Sequence, residues 1–281
     1  MFGITAGIAW LLFGDAFIVV IGALAAASAL MVGRVAPRVL FRLYRATLLD
    51  PLRSPQLYEI VGRLAQRAGL DYCPQLYYIP SQAKNAFAVG TGRQAAIGVT
   101  DGILRQFPVH EVAAILAHEV AHIRNRDTVV MGMADVLSRF TGILANVGFF
   151  LLFLNLPAIL LGSALVPWIA VWLLVLAPGA CALLQLGLSR TREFDADAEA
   201  VRLTGDPGSL ASALRRLNLG QGSFFERMFI RYKDVSEPSL LRTHPPLEER
   251  IRRIYELEQR PTIHQIQDWI WGPYLPEGRE L

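Results

Sequence analysis

The sequence predicts an α+β domain combined with transmembrane α-helices, on three observations. From Phe140 to Leu188 there is no Asp, Glu, Lys or Arg, a run of 49 residues. Short apolar runs bounded by Gly, Pro and Asn, which read as strands, stand beside stretches of 3.6-residue apolar periodicity, which read as helices. The chain is also 53% apolar and only 18% charged over its 281 residues, more apolar than an ordinary globular protein.

Composition excludes some classes. The formal net charge is +3, lysine occurs only at Lys84 and Lys233, and no basic run with interleaved aromatics appears, so no nucleic acid is expected as a partner. Cys73 and Cys181 read as free thiols, the second inside an apolar stretch, which argues against a disulfide scaffold and for a reducing compartment around the soluble part.

In chain order, residues 1–33 are expected to form a membrane anchor. Ile4 to Val32 is apolar apart from Asp15, with the length of one tilted helix or of a short re-entrant piece plus a helix. A cleaved signal peptide is the competing account, but the start has no positive region and the apolar stretch is too long for one. Residues 34–128 form the first part of a soluble domain. Within it Ser54 to Ala68 reads as a helix and Gln75 to Ile79 as a strand. Asn85 to Val89 and Ala95 to Thr100, separated by Gly90, Thr91 and Gly92, read as a β-hairpin, and Pro108 to Arg124 as an apolar-periodic helix.

The apolar run then needs ~20 residues per crossing, so residues 129–188 hold a transmembrane hairpin. Its turn falls at Asn155, Leu156 and Pro157, because proline disfavours helix at and before itself. Residues 189–281 are the second part of the soluble domain. Arg34, Arg38, Arg42 and Arg45 follow the anchor, Arg124 and Arg126 precede the hairpin, and Arg190 and Arg192 follow it, whereas the hairpin tip is uncharged. The excess of positive charge puts both soluble parts on the cytoplasmic side, where they can pack as one domain.

The chemistry is concentrated in His118-Glu119-Val120-Ala121-His122. Residues four apart on a helix lie one above the other, so both imidazoles can face one metal while Glu119, one step round, can reach a water beside it. Two satisfied histidines on an amphipathic helix would be the bland account. The flanking Val112, Ile115, Leu116, Ala117 and Ala121 mark the helix as buried, however, and ionisable groups there need a reason. His110 and Glu111 imitate the start of the motif but meet Ala114 four residues on, and are expected at the surface.

A catalytic zinc takes three protein ligands and leaves a position open. Asn125 and Thr128 stand where a metzincin would have Gly and a third His, so a Glu from a later helix is the better candidate. Glu193 and Asp197 are four apart and share a face; the first can bind the metal while the second accepts a hydrogen bond from a ligating imidazole. A solvated acidic helix start competes on spacing alone, and Asp195 and Glu199 face elsewhere.

These segments together resemble the HtpX family of membrane metalloproteases, which belongs to the same peptidase family as the CAAX prenyl proteases. The residues that carry the resemblance are His118 to His122, Asn125-Arg126-Asp127, Ser189-Arg190 through Asp197, and Thr243-His244-Pro245-Pro246 with Glu248, Glu249 and Arg250. They occur in the same order from about Leu48 to Ile254, with two membrane helices between the metal-binding segments. The short stretch Met1 to Val32 departs from the pattern, which usually starts with two full membrane helices.

The resemblance implies a gluzincin-like zinc metalloprotease fold, one Zn2+ held by His118, His122 and Glu193, and Asp197 behind them. It implies Glu119 as general base and His244 as a donor to the tetrahedral oxyanion. It also implies a substrate strand, in which Asn85, Ala86, Phe87 and Ala88 precede an active-site edge strand at Ala95 to Thr100 and bind an extended peptide. The implied partners are protein or peptide substrates, membrane proteins among them, and the lipid bilayer. The implied place is the bacterial inner membrane, multi-pass with a cytoplasmic catalytic domain, in the quality control of misfolded proteins; no oligomeric state is implied. A site-2-type intramembrane protease is opposed by Arg124, Arg126 and Asp127 directly after the motif and His110 and Glu111 before it. A CAAX-type processing enzyme would need more apolar segments, and a non-catalytic scaffold has no use for Glu119.

The charge asymmetry yields a topology test. Cysteine at Asn155 should label from outside the cell, while cysteine at Arg38 or Arg190 should not; outside labelling at 190 would overturn the cytoplasmic placement.

Overall fold

Apolar runs too short for a helix pair into one four-stranded sheet. The computed structural model describes residues 41–162, 168–218 and 245–258. Its strands are β1 (Thr47–Leu48), β2 (Gln75–Ile79), β3 (Ala86–Val89) and β4 (Ala96–Thr100). The order is β1-β2-β4-β3, with β2 and β4 parallel and β1 and β3 antiparallel to their neighbours.

The expected hairpin exists, but the expected edge is reversed. Ala95 precedes β4, and β4 lies inside the sheet with all five residues buried. A strand with Ala96, Ile97, Gly98 and Val99 in succession is apolar on both faces, which suits an inner position. Gly98 is needed there, since a Cβ would lie 2.7 Å from the Phe41 ring and 2.9 Å from Ile79. The open edge is β3. Asn85, just before it, accepts from the Thr100 N–H at 3.1 Å and donates its own N–H to Thr100 Oγ1 at 3.0 Å. By antiparallel alternation Phe87 and Val89 then bond inward to β4, and the main chain of Ala86 and Ala88 faces outward.

The helices are α1 (Pro55–Arg67), α2 (Asp101–Gln106), α3 (Val109–Arg124), α4 (Asp127–Leu154), α5 (Leu156–Leu160), α6 (Trp168–Thr204), α7 (Pro207–Asn218) and α8 (Leu247–Glu258). Pro55 opens α1 and Pro108 caps α3, where a missing N–H costs nothing, whereas Pro178 lies within α6. The break at Asn155 falls where proline chemistry predicts, although α5 follows it. The second long helix does not restart near Ser189, because α6 runs unbroken through it to Thr204.

The chain divides into two compact units, Arg34–Thr128 with Arg190–Leu281, and Met1–Gly33 with Val129–Ser189. The anchor segment, Arg34, Arg38, His244 and the aromatic tail with Trp269, Trp271 and Tyr274 lie outside the described residues.

In the first unit α3 is the hub, packing on α1, α7 and β3. Ala113, Ala114, Ala117 and Ala121 are fully buried and let its neighbours approach closely, while Leu116 and Val120 fill the core. Each large apolar side chain buried in this way is worth about 1.5–3 kcal/mol. Ile60, Val61 and Leu64 of α1, Leu210 and Leu214 of α7, and Ile251 and Ile254 of α8 complete that core. One expectation fails here. His110 is exposed, but Glu111 is buried, since Ser212 donates to it at 2.5 Å and Arg216 pairs with it at 2.8 Å. Partners on α7, about a hundred residues away, bring that carboxylate inside.

In the second unit the described parts of α4 and α6 bury small groups, including Ala145, Ala177 and Cys181. A Cβ at Gly148 would fall within 2.5 Å of Leu174. Ile143, Phe150, Phe153, Trp172, Leu176 and Leu183 are exposed, and both helices are long and apolar enough to cross a membrane. Both cysteines are free, Cys73 exposed and Cys181 buried with its thiol donating to Thr141 at 3.6 Å.

Gly102, at the start of α2, offers a stability test away from the metal centre. A Cβ there would lie 2.6 Å from the Ala83 carbonyl oxygen and closer still to that of Gln82. Backbone cannot yield as a side-chain tip can, so Gly102→Ala should lower stability by about 1–3 kcal/mol, read as a drop in thermal midpoint. An unchanged midpoint would show that the 81–83 segment moves freely.

Candidate metal centre

The local spacing on α3 does what a helix dictates. His118 and His122 stack on one face with rings at right angles and Nε2 atoms 3.1 Å apart. From α6, Glu193 reaches them, Oε2 lying 3.7 Å from His118 Nε2 and Oε1 3.9 Å from His122 Nε2. Two donors at corners of a tetrahedral site with bonds of about 2.0–2.1 Å lie about 3.3 Å apart. The two imidazole nitrogens lie close to that figure and the Glu193 carboxylate stands somewhat farther off, one oxygen toward each ring, and all three groups are at most 18% exposed.

The outer nitrogens decide the proton positions. His122 Nδ1 is 2.7 Å from Asp127 Oδ2, and His118 Nδ1 is 3.1 Å from Asp197 Oδ1. In neutral His122 the nitrogen bonded to Asp127 carries the proton, so Nε2 is a bare lone pair, while His118 Nδ1 faces Asp197 at ion-pair distance without the geometry of a hydrogen bond. Two imidazole nitrogens and a carboxylate oxygen thus converge in a buried place where a cation would satisfy them. The residues therefore fit a metal. The charges agree in sign: Glu119, Asp127, Glu193 and Asp197 bring four acidic groups together, Arg250 lies 3.1 Å from Glu193 and 2.7 Å from Asp197, and Arg192, 3.6 Å from Asp127, is shared with Asp195 at 2.5 Å. Acidic groups remain in excess, as a cation site requires.

Electrostatics point the same way. Burial works to lower the affinity of His122 for a proton, but the hydrogen bond to Asp127 and the fields of Glu119, Glu193 and Asp127 outweigh it, and the net shift is upward. Glu119 is buried, and that burial pushes its carboxyl above the usual range. The two imidazoles and a hydrogen bond from the Ala88 N–H pull it down, and Glu193 pushes it up. The result is a carboxylate poised to hold a proton, placed by the outward-facing edge of β3.

The sequence reading therefore has His118, Glu119, His122, Glu193 and Asp197 brought together, with Ala88 against Glu119. Asp195 pairs with Arg192, and Glu199 with Arg124 and Arg202, away from the two imidazoles. Two participants had been quoted without a role. Asp127 returns to His122 because α3 ends at Asn125 and Arg126 takes a left-handed conformation with φ 56°. Arg250 arrives from α8. A carboxylate just past the end of a metal-binding helix was a readable signal for Asp127; no spacing rule would have found Arg250.

A buried His-Glu-His helix with a glutamate from a later helix defines a metallopeptidase. Residues 51–258 match the sequence profile of peptidase family M48, and the chain belongs to that family. It is a membrane-bound metalloprotease hydrolysing peptide bonds. It is 44% identical over 235 residues to a protease HtpX homolog of Acaryochloris marina, covering 78% of this chain and 79% of that one. With the protease HtpX homolog of Trichormus variabilis it is 36% identical over 267 residues, covering 90% and 92%. Among solved structures, S. mikatae Ste24p aligns with a TM-score of 0.57 at 23% identity, over 89% of this chain and 61% of that one, a likeness of fold.

The geometry ranks the carboxylates. Glu193→Ala should abolish tight metal binding, and Asp195→Ala should leave it intact. Asp127→Asn should weaken it by about 10–100-fold, as loss of the carboxylate behind a ligating histidine does. Chelator competition measures all three, and a tightly binding Glu193→Ala would remove Glu193 from the ligand set.

Proposed function

We propose that this chain is a zinc-dependent endoprotease with a gluzincin-type catalytic domain, its metal held by His118, His122 and Glu193. The observation that carries the reading is the convergence of two imidazole nitrogens and a carboxylate oxygen, with Asp197 and Asp127 behind the two rings. Zinc bound there would supply a Lewis acid that acidifies water and polarises the scissile carbonyl.

This chain's own residues do the rest. Glu119 accepts the proton of the attacking water and delivers it to the leaving amine, the Ala88 N–H holding its carboxylate toward the site. An extended substrate adds to the open edge of β3 through the outward main chain of Ala86 and the Ala88 carbonyl, so Asn85 to Ala88 act as backbone rather than through side chains. His244, by its resemblance, donates to the oxyanion.

The same reading extends to place and substrate. The candidate spans lie in helices that begin or end with residues of the centre, Asp127 opening α4 and Glu193 and Asp197 near the end of α6. Substrates delivered at a membrane surface are accordingly favoured. We assign the chain to the quality control of misfolded membrane proteins at the cytoplasmic face of a bacterial inner membrane.

Purified protein should contain one zinc per chain and cleave casein. Glu119→Gln should keep the zinc and lose at least about 10²-fold in rate, the scale of a lost general base. A Glu119→Gln protein that cleaves at the wild-type rate would overturn the mechanism.

A further inference from the structure

The guanidinium of Arg250 uses three nitrogens on two carboxylates of the centre. Nε and Nη2 form a paired contact with Asp197 at 2.7 Å each, and Nη1 lies 3.1 Å from Glu193 Oε2. The residue is 8% exposed. A buried guanidinium is costly unless its geometry is well satisfied, and a planar fork serving two acceptors at once is a task lysine cannot perform.

The consequence falls on the ligands. Before any metal arrives, Glu119, Glu193 and Asp197 repel one another, and Arg250 opposes that repulsion at two of the three. Arg250 holds Glu193 by Oε2 and leaves Oε1 directed at His122 Nε2. It also holds Asp197 by the Oδ1 atom that lies 3.1 Å from His118 Nδ1, which fixes a carboxylate against the outer side of that ring. One cation on α8 thereby sets two of the three proposed ligands.

We propose that Arg250 is a positioning residue that preorganises Glu193 and, through Asp197, His118 for the metal. The inference rests on the zinc reading given above. Its neighbours on α8 differ, since Arg252 is exposed and pairs with Glu256, and Arg253 is half-exposed, pairing with Glu249 and covering the Phe194 ring.

The test uses the full-length protein with Arg250→Lys, Arg250→Gln and, as control, Arg252→Gln. Chelator competition gives zinc affinity, and casein cleavage is followed at limiting and at saturating zinc. Arg250→Gln should bind zinc about 10–100-fold more weakly, Arg250→Lys should fall between it and wild type, and Arg252→Gln should match wild type. Saturating zinc should return cleavage by the Arg250 variants to near the wild-type rate, which a merely structural defect would not allow. Should Arg250→Gln fail to fold, as judged by circular dichroism, Arg250→Lys decides alone. Wild-type affinity in the folded variants would overturn the proposal, as would zinc-loaded variants that stay inactive. Equal zinc content in wild type and His118→Ala would instead overturn the zinc reading, and this inference with it.

Discussion

Four carboxylates and two imidazoles share one buried place, and the proposed centre depends on how that charge is balanced. Burial of an unpaired carboxylate costs several kcal/mol even after relaxation. Arg250 stands against Glu193 and Asp197, and Arg192, shared with Asp195, against Asp127, which leaves an excess of acidic groups for the proposed ion to offset. The upward shift at His122 is the same constraint seen from the proton's side. Without a metal, the centre draws in another positive charge.

Each structural element contributes one part of that balance. The rigid turn of α3 fixes the two imidazoles, whose separation cannot drift without unwinding the helix. The left-handed Arg126 turns the chain so that Asp127 meets His122. The edge of β3 gives Glu119 a backbone donor that restrains it without neutralising it. The alanine faces of α3 matter for this reason, since a bulkier core would hold α7 and β3 away and open the centre to water.

What the sequence disclosed divides along the range of the interactions. The strands β2, β3 and β4, the helices α1 and α3 and the histidine pair are governed by local periodicity, and their bounds read within one or two residues, whereas the two-residue β1 carries no such signal. The break at Asn155 follows from proline chemistry. Sheet order is not local. The loop and 3-10 turn from Gly90 to Gln94 connect β3 to β4, but β4 pairs on its other side with β2, so Ala95 to Thr100 is interior and Ala86 to Val89 is the edge. Glu111 was misread for a similar reason, because its partners Ser212 and Arg216 lie a hundred residues on. Arg250 is visible as part of a resembling segment, yet its contacts with Glu193 and Asp197, more than fifty residues away, are legible only in the folded chain.

The apolar hairpin poses the complementary problem. Ile143, Phe150, Phe153, Trp172, Leu176 and Leu183 would make a poor surface in water, where large contiguous apolar patches are rare. The buried side of these helices mixes small residues, Ala145, Ala177 and Cys181, with Leu144 and Leu174, the last admitted by Gly148. In water so many large residues outside beside so many small ones within would be a poor arrangement. In lipid it is the expected arrangement, because burying leucine against leucine gains little where the solvent is itself hydrocarbon, and close backbone approach through small residues supplies the attraction instead. Along α6 the rule changes after Leu188, where the uncharged run ends and Arg190, Arg192, Glu193, Asp195 and Asp197 crowd into two turns. The acidic turns of α6 thus follow directly on its apolar run, Glu193 standing five residues after Leu188.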